Sequence, residues 1–325
     1  MRSVWVIVLF TVLIFLSACL PMDTTPTVML APSRLPQAST AARVTDTVPD
    51  LSDVEEKILP TFTRTPIYAT RTAEVQKEFS VTTPQPLTIT ILYDNNSYDP
   101  RLTTAWGFSA LVEHHDHTLL FDTGGDGKLL LENMRSLKVD TTRIEGVVLS
   151  HAHGDHTGGL MGVLNTGVKP VVYLLPSFPS AFKSQVAQLT QVSEVAPRQE
   201  ISDGLWTSGE IAGAIPEQAL IILTEQGLVV ITGCAHPGIV GIVEQAQAMF
   251  AEPVHLVLGG FHLGSKSEGE LKAILKDFRR LGVEEVAPCH CTGESAIKMF
   301  ASEYGENFIQ VGVGSVIQLQ IDTQE

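Results

Sequence analysis

Cysteines, basic residues and early histidines are scarce in this chain, and each shortage narrows what it can be. Four cysteines in 325 residues cannot staple a scaffold, so an apolar core must hold the fold. Lys and Arg number 21 against 36 Asp and Glu, a formal net charge of −15. A surface this acidic repels phosphate backbones, so no nucleic-acid partner is expected. Charged residues make up only 18% and hydrophobic residues 44%, which excludes wholesale disorder. All ten histidines occur from position 114 onward.

Residues 4–16 form an apolar run behind Arg2. A bilayer-spanning helix needs about 20 such residues, so the run is short for a permanent span and suits a signal-peptide core. It closes in Leu16-Ser17-Ala18-Cys19, which resembles the bacterial lipoprotein signal, with Cys19 as the acylated N-terminus. The expectation is a signal peptide over residues 1–18 and a cell-membrane lipoprotein facing outside the cytoplasm, held by its acyl chains. An ordinary cleaved signal and an uncleaved anchor are the blander readings. Half of the 18 prolines lie in residues 21–86, so residues 19–86 read as a Pro/Thr-rich disordered tether. Such a chain reaches on the order of 45 Å. Residues 51–59 suit a short helix.

From Leu87 onward, short apolar runs alternate with turn residues and helical periodicity. The runs at 87–93, 109–113, 118–122, 147–149 and 171–175 predict strands. Positions 128–137 and 179–190 predict helices. In the second half, 219–224 and 228–232 predict a hairpin, and 254–258, 283–287, 308–311 and 315–321 predict further strands. Helical spacing recurs at 239–250, 268–281 and 294–304. Strands followed by helices in both halves predict an α/β fold of helix-covered sheets over residues 87–325.

The strongest chemical signal is His151-Ala152-His153-Gly154-Asp155-His156. Residues two apart in extended backbone point to one side, so His151 and His153 can converge on one ion. Gly154 lets the chain turn, and Asp155 and His156 then face a second ion from the start of a helix opening at residues 157–160. The longer stretch from Ser150 to Leu160 resembles the signature of the metallo-β-lactamase superfamily. That resemblance implies an αββα sandwich of two mixed β-sheets flanked by helices, with a one- or two-metal site at the edge where the sheets meet; two divalent ions are expected here. His236 in Gly233-Cys234-Ala235-His236-Pro237-Gly238 and His290 in Pro288-Cys289-His290-Cys291 stand where the family's later ligands fall. By position, His151, His153 and His236 would hold one metal, and Asp155, His156 and His290 the other. Asp122 resembles the family's early aspartate, which would orient a ligand histidine by hydrogen bonding.

One departure matters. Many family members carry a bridging aspartate after the strand corresponding to 254–258, whereas this chain reads Gly259-Gly260-Phe261-His262-Leu263. That pattern resembles the dihydropterin–ribofuranosylaminobenzene phosphate synthase-like subgroup. His262 could replace the bridge, ligate the second metal or donate a proton to the leaving group, and a catalytic or substrate-contact role is the expectation. His255 reads as a core histidine, and His114, His115 and His117 as a solvated hairpin turn. Cys234, Cys289 and Cys291 read as small buried hydrophobes or a disulfide, with Cys289 and Cys291 pointing away from whatever His290 faces. Trp106, Phe108 and Arg101 suit either a pocket wall or the core.

Imidazole and carboxylate ligands in this number suit zinc, and manganese and iron use similar sets. The expected function is a membrane-tethered hydrolase whose metal-bound hydroxide attacks an ester, lactone or phosphoester-type small molecule, with Asp155 accepting a proton and His262 stabilising developing charge. The site's reduced negative charge favours an anionic substrate. A dihydropterin-diphosphate-dependent transferase and a non-catalytic exported metal-binding lipoprotein are the alternatives.

Overall fold

The computed structural model describes residues 87–319. The expected signal peptide, Cys19, the tether and the helix at 51–59 lie outside the described residues. Among those described, no helix is long and apolar enough to cross a membrane.

In chain order the strands are β1 (Leu87–Tyr93), β2 (Ser109–His114), β3 (His117–Phe121), β4 (Gly146–Val148), β5 (Val171–Leu174), β6 (Val192–Glu194), β7 (Gln199–Ser202), β8 (Leu205–Thr207), β9 (Leu220–Thr224), β10 (Gly227–Thr232), β11 (Val254–Gly260), β12 (Glu285–Cys289) and β13 (Val316–Leu319). The helices are α1 (Gly127–Ser136), α2 (Gly154–Thr157), α3 (Leu160–Leu164), α4 (Ser180–Ala187), α5 (Ile239–Phe250), α6 (Glu268–Arg280) and α7 (Glu294–Tyr304). They build two mixed sheets, ordered β13-β1-β2-β3-β4-β5-β6 and β12-β11-β10-β9-β8-β7.

Residue alternation explains the layering. Along β10, Val229 and Ile231 face the other sheet beside Leu256, Leu258 and Phe121. Leu228 and Val230 face outward beneath Ile242, Val243, Leu275 and Phe278 of the second sheet's helices. In the first sheet, Leu120 and Val147 face outward and meet Leu130, Met134 and Val163. Both faces of each sheet are therefore apolar, which gives the αββα sandwich its four layers. Helix α6 starts at a reciprocal cap in which Ser267 and Glu270 each bond the other's backbone N–H.

The tertiary structure revises several sequence expectations. Residues 308–311 make only an isolated bridge between Val286 and Phe308. Strands β6, β7 and β8 are too short and too mixed in polarity to be read from alternation. The helix after the histidine cluster opens at Gly154 rather than Thr157, so Asp155 and His156 lie within its single turn. His114 is not in the solvated turn: it ends β2 and is only 4% exposed.

Both ring nitrogens of His114 lack a partner among the described residues. Burial, followed by the neighbouring His115, depresses its pKa from 6.5 to about 4, with Asp203 opposing and His117 adding to the effect. The unfolded chain therefore takes up this proton before the folded one does. Stability should be full above pH 6.5 and fall as pH drops towards about 4. Thermal melts of His114→Leu should show a flatter acid limb than wild type; identical limbs would refute the assignment.

Candidate metal centre

Strands β1, β3 and β4 run parallel in the first sheet, as β10, β11 and β12 do in the second. Their carboxyl ends release Asp94-Asn95, Asp122, Ser150–His156, Cys234–His236, His262 and His290. In open sheets that is the edge where loops can converge without disturbing the ladder. Asp122, Ala235, His262 and His290 all adopt left-handed backbone, with φ of 55°, 60°, 53° and 47°. Each such residue costs about 1–3 kcal/mol and persists only where its surroundings hold it.

The histidines converge. Donor atoms of His151, His153 and His236 lie within 4.8 Å of one another, and so do those of Asp155, His156 and His290. Within the first trio, His151 Nε2 and His153 Nδ1 are 3.1 Å apart. The His236 ring centroid lies 4.8 Å from that of His151 and 4.9 Å from that of His153. In the second trio, Asp155 Oδ2 is 3.6 Å from His156 Nε2 and 3.4 Å from His290 Nε2. Ligands at 2.0–2.3 Å around a tetrahedral ion stand about 3.3–3.5 Å apart, so these spacings fit a metal.

Hydrogen bonds determine which nitrogen each ring presents. Asp122 is fully buried and, as a carboxylate, can only accept. His156 Nδ1–H donates to its Oδ2 at 2.6 Å, which turns the Nε2 lone pair into the site. Ser150 donates to the same carboxylate through its N–H at 2.7 Å and its hydroxyl at 2.6 Å. The Ser150 Oγ must then accept from His151 Nδ1–H at 2.9 Å, which frees His151 Nε2. His290 Nδ1–H donates to Asn95 Oδ1 at 3.0 Å while Asn95 Nδ2 donates to the His290 carbonyl at 3.2 Å. Nε2 of His236 and of His290 are buried with no hydrogen-bond partner among the described residues. Lone pairs left this way fit a bound cation.

Electrostatics agree. Burial, with the neighbouring His156, His236 and His153, holds His151 far below the usual imidazole range. Burial and His262 bring His236 down to about 4, so both are neutral near pH 7. Burial also disfavours charge on His156, but Asp122 outweighs it and raises its pKa. Burial works against the Asp155 charge, yet its His290 contact and the charge of His156 hold the carboxyl well below its ordinary range.

Two further buried carboxylates were not found by sequence reasoning. Glu217 accepts the N–H groups of Cys234, Ala235 and His236, each at 2.8 Å. Asp94 accepts the N–H of Asn96 at 2.6 Å and that of His290 at 3.1 Å. Burial raises the pKa of both. Asp94 follows an apolar strand directly, as Asp122 does, and that signal was readable. Glu217 precedes β9 and has no local signal.

Cys234 and Cys289 are buried as small hydrophobes, as expected, and Cys291 departs from expectation. All three described are free. Because His290 turns left-handed, Cys291 does not point away but sits beside Cys234 and His262, with donor atoms within 4.8 Å. His262 itself is exposed, its ring 4.4 Å from that of His236. A cavity of about 330 Å³ opens there, walled by Ile239, Phe261, Leu263 and Lys266. Trp106 is 59% exposed and its ring is 4.8 Å from His290, while Phe108 is core. Arg101 is paired with Asp99 on the surface. His255 is buried in β11 beside Glu284 at 2.9 Å.

A sequence profile of the metallo-beta-lactamase superfamily matches residues 107–248. Tm1679, a metal-dependent hydrolase of the beta-lactamase superfamily, superposes with a TM-score of 0.62 at 30% identity, over 72% of this chain and 99% of that one. The chain belongs to the metallo-β-lactamase superfamily. It is also 28% identical, over 70% of its length and 95% of the relative's, to the 7,8-dihydropterin-6-methyl-4-(beta-D-ribofuranosyl)-aminobenzene-5'-phosphate synthase of Methanocaldococcus jannaschii. The metallo-beta-lactamase fold protein YhfI from Bacillus subtilis shares the fold, with a TM-score of 0.55 at 16% identity over 72% of this chain and 99% of that one. The superfamily fold implies divalent-metal binding, and the two trios could supply the ligands.

Glu217→Ala would leave three buried N–H donors unpaired, at about 1–3 kcal/mol each. Its melting temperature should fall by at least roughly 5 °C, and Glu217→Gln, which keeps one acceptor, should fall less. A wild-type melt for Glu217→Ala would show that the 234–236 turn stands without it.

Proposed function

We propose that this protein is an exported, membrane-tethered, metal-dependent hydrolase of a small anionic ester, lactone or phosphoester. The observation that carries the reading is the pair of donor trios, His151/His153/His236 and Asp155/His156/His290, with the Nδ1–H groups of His151, His156 and His290 turned away from the site. Zinc is the metal this donor set favours, with manganese and iron next. Bound there, divalent ions supply Lewis acidity and bring the ionisation of a coordinated water near pH 7.

The chain's own residues then divide the work. The first trio stays neutral at pH 7 because burial disfavours charge on His151 and His236. Asp155, with a side chain 22% exposed, reaches solvent as well as His156 and His290. It orients the attacking water and takes up its proton. His262, on the exposed rim, faces the leaving group and donates a proton as that bond breaks. Trp106 walls the entrance beside His290, and Lys266, paired with Glu270, stands at the cavity's margin.

A second reading has its own support. The match to the methanogen synthase spans 95% of that protein, and β11 ends in Gly259-Gly260 with no carboxylate. A dihydropterin-diphosphate-dependent transferase would use the same ligands to hold a diphosphate. The lipoprotein-like Leu16-Ser17-Ala18-Cys19 motif weighs against it, since export separates the protein from cytoplasmic pterins.

The full chain, assayed on ester, lactone, phosphodiester and sulfate-ester substrates, should show turnover that a chelator removes and added metal restores. His151→Ala and Asp155→Ala should each lose more than about 100-fold. Tight pterin-diphosphate binding without hydrolysis would select the transferase, and stoichiometric metal with neither would leave a binding protein. Separately, Cys19→Ala should abolish incorporation of labelled fatty acid and release the chain from membranes. Unchanged labelling would refute the lipid anchor.

A further inference from the structure

The two trios have no residue in common, and the end of β11 supplies no acid to join them. A sulfur lies where a joining ligand is needed. Cys234 Sγ is 3.3 Å from His156 Nε2, and the donor atoms of Cys234, His156 and His151 are all within 4.8 Å of one another. His151 belongs to one trio and His156 to the other. Among the described residues, Cys234 is the one side chain outside the trios that groups with a member of each.

We propose that Cys234 is a metal ligand at the junction of the two trios, with Cys291 as the residue that positions it. The proposal rests on the reading of the trios as metal sites. A nitrogen at about 2.0 Å and a sulfur at about 2.3 Å from one tetrahedral ion stand roughly 3.5 Å apart, close to the observed contact. On coordination the thiol proton leaves to solvent and the thiolate binds, adding the negative charge that a second cation needs in this pocket.

The surroundings hold the sulfur in place. Glu217 accepts the Cys234 N–H at 2.8 Å, and Cys291 Sγ reaches the Cys234 carbonyl at 3.6 Å. Gly260 makes room for both: a Cβ there would come within 2.7 Å of Cys291 Sγ and 3.2 Å of Cys234 Cα. A side chain at Gly260 would press on Cys291 Sγ and on the Cys234 backbone, so the lack of an acid there leaves the thiol pair its room.

The test replaces the native metal in the full chain with cobalt(II), and reads metal stoichiometry together with the near-ultraviolet thiolate-to-cobalt charge-transfer band. Wild type should bind two ions and show the band. Cys234→Ser should lose it and bind the second equivalent at least about tenfold more weakly, whereas Cys291→Ser should keep it with a shifted maximum. Melts of the metal-free variants separate loss of a ligand from loss of the fold. Two ions without the band, or a band lost in Cys291→Ser and kept in Cys234→Ser, would overturn this assignment alone. No bound metal at all would remove the trios' reading with it.

Discussion

Three buried carboxylates hold the segments that carry the imidazoles, and the rest of the site depends on them. Asp94 stands under His290, Asp122 under His151 and His156, and Glu217 under His236. An ionised carboxylate inside a protein is costly unless hydrogen bonds compensate for the lost water. Each of the three accepts three hydrogen bonds, and most of the donors belong to the site segments. Burying the acids and ordering the histidines are therefore one event. A segment that moved would leave its carboxylate short of donors, and at Asp122 rotation of the His156 ring alone would do so.

The sandwich makes this arrangement affordable in stability. Apolar residues on both faces of both sheets build three cores between the four layers, and that reserve can support four strained left-handed residues at one edge. Parallel neighbours bring several chain ends to the same side of each sheet. Gln218 then ties the sheets together there, its side-chain amide donating to the Leu149 carbonyl at 2.8 Å and its backbone N–H to that of Ser150 at 2.9 Å. The arms of the site hang from strands that cannot slide without breaking the core.

Much of the architecture could be read from residue patterns. The strand at Leu87–Tyr93 and the helices at Ile239–Phe250 and Glu268–Arg280 follow from alternation and helical spacing. Strands β6 to β8 could not be read, since three or four residues of mixed polarity carry no period. His114 was misplaced because a polar residue beside a turn looks solvated until the opposing sheet is known. The direction of Cys291 could not be read, because the chain turns left-handed at His290 where alternation implies extended backbone.

By itself the sequence determined the chemistry on offer: a dense His/Asp cluster behind one strand, later histidines behind two others, and an acidic chain poor in cysteine. Those are local facts, set by side-chain type and spacing. Only the tertiary structure decided which atoms meet. The pairing of Asn95 with His290 across 195 positions and of Cys234 with His156 across 78 depends on two sheets packing face to face, while that of Glu217 with residues 234–236 depends on the β9–β10 hairpin closing. No short-range pattern encodes contacts that only the closing of the core brings together.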